Sequence, residues 1–367
     1  MTAYTKQSKD QFFMNRALLL AEKGKGFTSP NPVAGACLVK NDKLIGEGFH
    51  SAFGENHAEV SVLKRAGAKT KGGTLYVTLE PCSTWGKTAP CVTAIQQSGV
   101  KRVVVGAIDP NPKHAGRGIS ILKRSGIAVE TGVMKQEAEN QNVGFRHWIL
   151  TKMPYVILKL AQTLDGKIAT YSGDSKWITG QEARVFAHEL RSRVDGVMVG
   201  KNTVLRDDPR LTVRNVKSKW QPWRFILDLR GELPISHQIF QEGSKTVLVC
   251  SARYVKNVVK KFSRKAISVL PAREQNGKIN LNHLLSQIGA LGITSVLVEG
   301  GGEVAAGFLE QKLVHKIYFM IAPKIAGGRN AKTSVEGKGV RLICESSDLK
   351  NVNVFKLGAD IMIEGNL

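Results

Sequence analysis

Strand-like and helix-like runs alternate along this chain, and the alternation starts twice. Between Asp10 and Lys23 apolar residues fall at 13, 17, 20 and 21, the spacing of one helical face, and Thr28-Ser-Pro-Asn-Pro ends that helix. A hairpin is predicted next, with strands over 33–40 and 44–50 around the turn Asn41-Asp42. Helix 57–66, strand 74–78, helix 91–98, strand 102–106, helix 118–125 and strand 128–131 continue the pattern. After Arg146-His147-Trp148 the chain passes Lys152-Met153-Pro154 and begins afresh with a strand over 155–161. Helix 180–193, strands 197–200, 224–228 and 246–250, helix 282–290, strand 295–299, helix 304–310 and strand 316–321 follow. Strands alternating with helices argue for three-layer α/β architecture. The 367 residues exceed the ~150 of a common single domain, so two domains are expected, 1–149 and 150–367, with the boundary near 147–153.

Composition narrows the class. With 42% hydrophobic and 23% charged residues the chain is neither disordered nor fibrous, and no apolar run approaches the ~18 residues of a membrane span. Asn15 and Arg16 interrupt the apolar stretch near the N-terminus, a poor secretory signal, so no membrane partner and a cytoplasmic location are expected. Lys and Arg number 53 against 30 Asp and Glu, a net charge of +23. Such a field attracts polyanions without identifying them. The basic residues are dispersed, which leaves a phosphorylated metabolite, non-specific RNA attraction and a merely soluble surface all open. Five scattered cysteines do not make a disulfide framework. Cys37, inside an apolar strand, is expected in the core, as are Cys250 and Cys344.

The remaining cysteines carry chemistry. His57-Ala58-Glu59 is followed by Pro81-Cys82 at the end of a predicted strand and by Cys91 at the start of a predicted helix. One imidazole and two thiolates suit tetrahedral zinc, and three protein ligands leave the fourth position for water, the arrangement of a catalytic site; one Zn2+ per chain is expected. Glu59 stands two residues from a ligand, off its helix face, and is the candidate proton carrier.

This set is similar to the zinc nucleobase deaminase signature, H-x-E with P-C-x-x-C, in which water attacks an amino-bearing ring carbon. Here Ser83 to Pro90 separate the cysteines in place of two residues. With Ser29-Pro-Asn-Pro-Val-Ala-Gly-Ala36, Glu55-Asn-His-Ala-Glu-Val60 and Asp109-Pro-Asn-Pro112, the insertion resembles the bifunctional deaminase/reductases of riboflavin biosynthesis. In the second half Lys159-Leu-Ala-Gln-Thr-Leu-Asp-Gly166, Ser175-Lys-Trp-Ile-Thr179, Asp207-Asp-Pro-Arg-Leu-Thr212 and Val298-Glu-Gly-Gly300 resemble that family's reductase domain. The resemblance weakens beyond about residue 330.

The resemblance implies a cytidine-deaminase-like domain followed by a dihydrofolate-reductase-like domain. The first deaminates a small phosphorylated pyrimidine, a diaminopyrimidinone with a phosphoribosylamino group; the second reduces the ribosyl unit to ribityl with NADPH. Carried over by position, His57, Cys82 and Cys91 hold zinc and Glu59 moves the proton, while Asn31, His50, Lys87, Asp109 and Asn111 surround the deaminase substrate. Lys87 is a point charge suited to a phosphate. The family usually has His where this chain has Thr84. In the second domain Ala161, Trp177, Thr179, Thr203 and Asp207 match cofactor positions, and Ser175, Arg191, Leu211, Arg214 and Glu299 match substrate positions, with Lys159 a polar contact at the reduced carbon. Arg191 and Arg214 carry forks suited to phosphate oxygens.

Gly300-Gly-Gly-Glu-Val-Ala305 follows a strand and opens a helix, so Gly301, Gly302, Glu303, Val304, Ala305, Ala306 and Gly307 are expected along the cofactor. No acidic residue stands about 20 positions on to hold a ribose 2′-hydroxyl, which argues against an NAD-type Rossmann site. A homo-oligomer and no specific nucleic-acid partner are expected. Two rival readings are a nucleic-acid-acting zinc deaminase that uses the positive charge, and a deaminase whose second domain is a degenerate scaffold. The reductase-like strings and the lack of an RNA-binding signature count against the first.

Overall fold

A computed structural model describes residues 6–218, 220–241, 245–263, 265 and 267–367. The chain divides into two compact units, Met1–Lys152 and Met153–Leu367.

The first unit runs α1 (Lys6–Ala21), β1 (Gly35–Lys40), β2 (Lys43–Phe49), α2 (Ala58–Ala66), β3 (Thr74–Leu79), α3 (Cys91–Gln97), β4 (Arg102–Ala107), α4 (Arg117–Arg124), β5 (Ala128–Thr131), α5 (Lys135–Gln141) and α6 (Val143–Thr151). Asn41 and Asp42 both take positive φ, which joins β1 to β2 by a tight hairpin. Strand order is β2-β1-β3-β4-β5, antiparallel through β1 and β3 and parallel from β3 to β5. Side chains alternate across this sheet. Leu38, Leu75, Val103 and Val105 pack with Val62, Val92 and Leu122 of α2, α3 and α4, while Cys37, Tyr76 and Val104 pack with Phe13, Met14 and Ala17 of α1. Both faces are therefore covered, and each large apolar side chain so buried contributes roughly 1.5–3 kcal/mol.

The second unit runs β6 (Tyr155–Thr163), α7 (Gln181–Ser192), β7 (Gly196–Gly200), α8 (Lys201–Asp207), β8 (Trp223–Leu227), β9 (Thr246–Ser251), α9 (Val255–Lys261), β10 (Ile267–Ala272), β11 (Glu274–Gln275), β12 (Lys278–Ile279), α10 (Leu281–Ala290), β13 (Ser295–Val298), α11 (Gly302–Glu310), β14 (Lys316–Ala322), β15 (Lys350–Leu357) and β16 (Asp360–Asn366). Its large sheet has the order β10-β9-β8-β7-β13-β6-β14-β16-β15. The strands from β10 to β14 in that order are parallel, and β16 and β15 close the edge antiparallel. The apolar runs of β7, β9 and β13 are buried on both faces, as a parallel sheet covered by helices requires.

Cys37 and Cys250 lie in these cores, but Cys344 does not. It is exposed in the single turn Ile343–Glu345, among exposed residues between β14 and β15 that no helix covers.

Candidate active sites

In the first unit the ends of three elements converge. His57 caps the N-terminus of α2, Cys91 opens α3, and Cys82 lies three residues beyond the end of β3. His57 Nδ1 stands 3.6 Å from Cys82 Sγ and 3.3 Å from Cys91 Sγ. All three ligand atoms lie within 4.8 Å of one another, and among the described residues this is the one such group of three His, Cys, Asp or Glu side chains.

Hydrogen bonds among the three groups set where their protons sit. A hydrogen bond from the Cys91 thiol, with further help from His57 and the Cys91 backbone N–H, holds Cys82 down to about 4 against the cost of burial. That same shared proton and burial push Cys91 well up. The Cys91 N–H donates to Cys82 Sγ over 3.3 Å, so the start of α3 faces a sulfur already in thiolate form. His57 is held protonated more firmly than usual by its bond to Cys82. Two sulfurs and an imidazole whose ligand atoms converge within 4.8 Å fit zinc, which on binding would displace the protons that Cys91 and His57 hold.

Glu59 is 5% exposed in the first turn of α2. Burial pushes its carboxyl above the usual range, with His57 pulling the other way. The His50 ring lies 5.0 Å, centroid to centroid, from that of His57. His50 Nδ1 meets the Asn56 carbonyl at 3.3 Å, which leaves Nε2 to accept from Asn31 Nδ2 at 3.3 Å. Asp109 is buried, and its Oδ1 accepts the Asn111 N–H at 2.8 Å. Lys87 is exposed in the inter-cysteine loop, its Nζ 4.0 Å from the centre of the Phe53 ring. Thr84 Oγ1 stands 3.5 Å from His114 Nε2, so an imidazole from another loop reaches this residue.

In the second unit a cavity of about 1130 Å³ opens along the carboxyl ends of β6, β7, β8 and β13, where open α/β sheets bind ligands. Lys159, Ala161, Ser175, Trp177, Thr179, Arg191, Thr203, Asp207, Leu211, Arg214 and Glu299 all line it, with Gly301, Gly302, Glu303, Val304 and Gly307. Ala305 and Ala306 do not. They are 0% and 2% exposed, because α11 turns that face toward the core and only its N-terminus and the Gly307 face toward the cavity. A Cβ on Gly302 would stand 2.5 Å from the Thr333 carbonyl oxygen, so the helix start sits where only glycine fits.

Arg191 differs from expectation. Its fork is taken up by Glu299, with Nε to Oε1 at 2.5 Å and Nη2 to Oε2 at 3.0 Å, and its Nη1 donates to the Thr212 carbonyl. Lys159 Nζ is 3.7 Å from Glu299 Oε2. Burial alone would raise Glu299, but Arg191 and Lys159 hold it down to about 2. Burial pushes Lys159 below its usual value. Ser175 Oγ donates to Asp207 Oδ1 at 2.9 Å, and Trp177 is 64% exposed with Arg184 against its ring.

Two residues escaped the sequence reading. His188 lines the second cavity and its Nδ1 accepts the Arg214 N–H at 3.1 Å; burial, Arg191 and Arg214 lower it to about 4, so it is neutral near pH 7. Glu80 is 4% exposed beside Pro81-Cys82. Its sequence signal is a carboxylate closing the apolar run Thr74–Leu79, which must find partners if buried.

One unit thus gathers a metal-binding triad and a buried glutamate, and the other opens a ligand cavity on a mostly parallel sheet. Similarity to known proteins gives the two units their class, a two-domain deaminase–reductase. Residues 7–107 match the family model of the cytidine and deoxycytidylate deaminase zinc-binding region, and residues 154–363 match the RibD C-terminal domain. The riboflavin biosynthesis protein RibD of Aquifex aeolicus is 44% identical over 355 residues, covering 96% of this chain and 97% of that protein. That of Escherichia coli is 37% identical over 367 residues, covering 97% and 98%. The structure of Acinetobacter baumannii RibD superposes with a TM-score of 0.88 at 36% identity, over 99% of this chain and 100% of that one. The chain belongs to the RibD family, the bifunctional deaminase–reductases of riboflavin biosynthesis, which use zinc and NADPH. Its first unit carries the deaminase zinc-binding region and its second is the RibD C-terminal reductase domain.

Proposed function

We propose that residues 1–149 deaminate a diaminopyrimidinone bearing a phosphoribosylamino group and that residues 150–367 then reduce its ribosyl unit to ribityl. The juxtaposition of His57, Cys82 and Cys91 with buried Glu59 carries the first half of this reading. The name of the 35% identical Thermotoga maritima protein, diaminohydroxyphosphoribosylaminopyrimidine deaminase/5-amino-6-(5-phosphoribosylamino)uracil reductase, supplies the substrate class.

His57, Cys82 and Cys91 would hold the zinc, which would supply the activation of a water toward hydroxide at neutral pH. Glu59 takes a proton from the attacking water and delivers it to the departing amine, so that ring C–NH2 and water become C=O and ammonia. His50, with its ring orientation fixed by Asn31 and Asn56, flanks the ring together with Asp109 and Asn111, and Lys87 meets the phosphate. In the reductase NADPH supplies the hydride. Ala161, Trp177, Thr179, Thr203, Asp207, Gly301, Gly302, Glu303, Val304 and Gly307 orient it, and Ser175, Leu211 and Arg214 hold the phosphorylated substrate. Lys159, buried beside Glu299, gives a proton to the ribosyl oxygen released as the sugar carbon accepts hydride. Arg191 acts by holding Glu299 ionised next to that lysine.

The same reading places the protein in the cytoplasm as a homo-oligomer. None of the described helices is long and apolar enough to cross a membrane. The edge strand β15 exposes Val352, Val354 and Phe355, which a second copy would cover. Sedimentation velocity at micromolar concentration should give a multiple of 40.0 kDa, and a monomer would exclude the oligomer.

A coupled assay with zinc-loaded protein, the phosphorylated diaminopyrimidine and NADPH tests the function. One ammonia released and one NADPH consumed per substrate is the expected balance. Ammonia without NADPH oxidation would leave the second domain without its proposed activity.

A further inference from the structure

We propose that Glu80 is a positioning residue for deamination: it fixes the Asp109–Asn111 arm against the strand that carries Cys82, and so sets the affinity for the pyrimidine. This rests on the reading of Asp109 and Asn111 as substrate contacts.

Glu80 leaves the end of β3 two residues before Cys82, and its own N–H donates to the Ala107 carbonyl at 2.9 Å. Its carboxylate is 4% exposed, and among the described residues no cation pairs with it. Four backbone N–H groups take that place. Oε2 accepts from Asp109 at 3.2 Å and Gly116 at 2.9 Å, while Oε1 accepts from Gly118 at 2.9 Å and Ile119 at 3.4 Å. The four donors span the whole loop that leads from the end of β4 into the first turn of α4.

Within that loop the links run inward to the arm. Asn111 N–H donates to Asp109 Oδ1, and the His114 and Ala115 N–H groups both donate to the Asn111 carbonyl. Fixing Asp109 and Gly116 thus fixes the arm at both ends. Close approach reinforces the bond pattern: a Cβ on Gly118 would stand 2.2 Å from the Pro81 carbonyl oxygen. The strand end that delivers Cys82 and the loop that delivers Asp109 are therefore held together by one side chain and one glycine.

The chemistry demands a carboxylate. Each oxygen meets two donors, so an amide in its place would set an NH2 against two N–H groups whichever way it turned. Glu80→Gln keeps the volume, loses two of the four bonds and adds a donor–donor repulsion. The arm then shifts relative to the ligand strand while His57, Cys82 and Cys91 keep their own contacts.

The test uses the full zinc-loaded chain, with steady-state deamination of the phosphorylated diaminopyrimidine, zinc content by elemental analysis, and reduction of already deaminated substrate. Glu80→Gln should raise the deamination KM about ten- to a hundredfold, the scale of a misplaced contact, with kcat and zinc close to wild type and reduction unchanged. Gly118→Ala, whose Cβ would press on the Pro81 carbonyl oxygen at 2.2 Å and on Glu80 Oε1 at 3.3 Å while the carboxylate itself is kept, breaks the same junction and should do the same, and Asp109→Ala should raise KM as well. If Asp109→Ala raises KM while Glu80→Gln and Gly118→Ala do not, positioning by Glu80 is overturned and the substrate reading stands. If Asp109→Ala leaves KM unchanged, the substrate reading fails and takes the proposal with it. Zinc and kcat falling together at constant KM in Glu80→Gln would mean that Glu80 only holds the fold, which also overturns the proposal.

Discussion

At the scale of single residues, the sulfurs decide the metal. Cys82, proposed as a ligand, is held down mainly by the hydrogen bond from Cys91, which favours its thiolate form. A hydroxyl at this position stays protonated and is a hard, weak donor for zinc. Cys82→Ser should therefore lose most of the roughly one zinc per chain expected of a three-ligand site. Elemental analysis that finds full occupancy in the variant would exclude Cys82 as a ligand. The triad was legible in the sequence because its residue types are uncommon together and sit at a strand end and a helix start. Glu80 was not, since its partners are backbone N–H groups that no spacing announces. Cys344 misled for a related reason: exposure depends on what covers a turn, and nothing in its neighbours' identities says that nothing does.

At the scale of elements, the reductase cavity is tied together by charge. Lys159 comes from β6, Arg191 from α7 and Glu299 from the end of β13, and all three meet inside it. Glu299 has an ordinary value of 4.5 and is held at about 2 in the folded chain, with Arg191 and Lys159 outweighing burial. Because the folded value is the lower one, this carboxylate stabilises the fold fully above pH ~4.5 and the contribution, about 3 kcal/mol, drains away as pH falls toward about 2. Urea unfolding between about pH 5 and 3 should show wild type losing more stability than Glu299→Gln, which lacks the titrating group though it starts less stable for leaving Arg191 unpaired. Parallel losses in the two proteins would contradict the assignment. Around this cavity the strands β6, β7, β8 and β13 and the helices α7 and α11 were readable from periodicity because each buries an apolar face, whereas the short helix α8, which buries only Val204, was not. The pair β15 and β16 was not, since β15 is exposed along nearly its whole length and carries no one-sided pattern. The helices α5 and α6 escaped as well: α5 is polar apart from buried Ala138, and α6 buries no residue fully. Ala305 and Ala306 were drawn into the cofactor segment by contiguity in sequence, whereas a helix sends neighbouring side chains to different faces.

At the scale of the whole molecule, two reactions are assigned to two separate sets of residues. The zinc ligands, Glu59 and the arm through Asn111 all precede residue 112, and the reductase set begins at Lys159. The chain divides between Lys152 and Met153, so each set belongs to a unit with its own sheet and its own cores. The most direct measurement of this account is a pair of steady-state assays on purified Glu59→Gln. The substitution keeps the shape of the side chain and removes its ionisable carboxyl. Deamination should fall by ~10²- to 10⁴-fold, the loss expected when general acid–base catalysis is removed, while reduction of substrate supplied already deaminated stays near the wild-type rate. Equal losses in both activities, with the fold intact by circular dichroism, would contradict two independent sites.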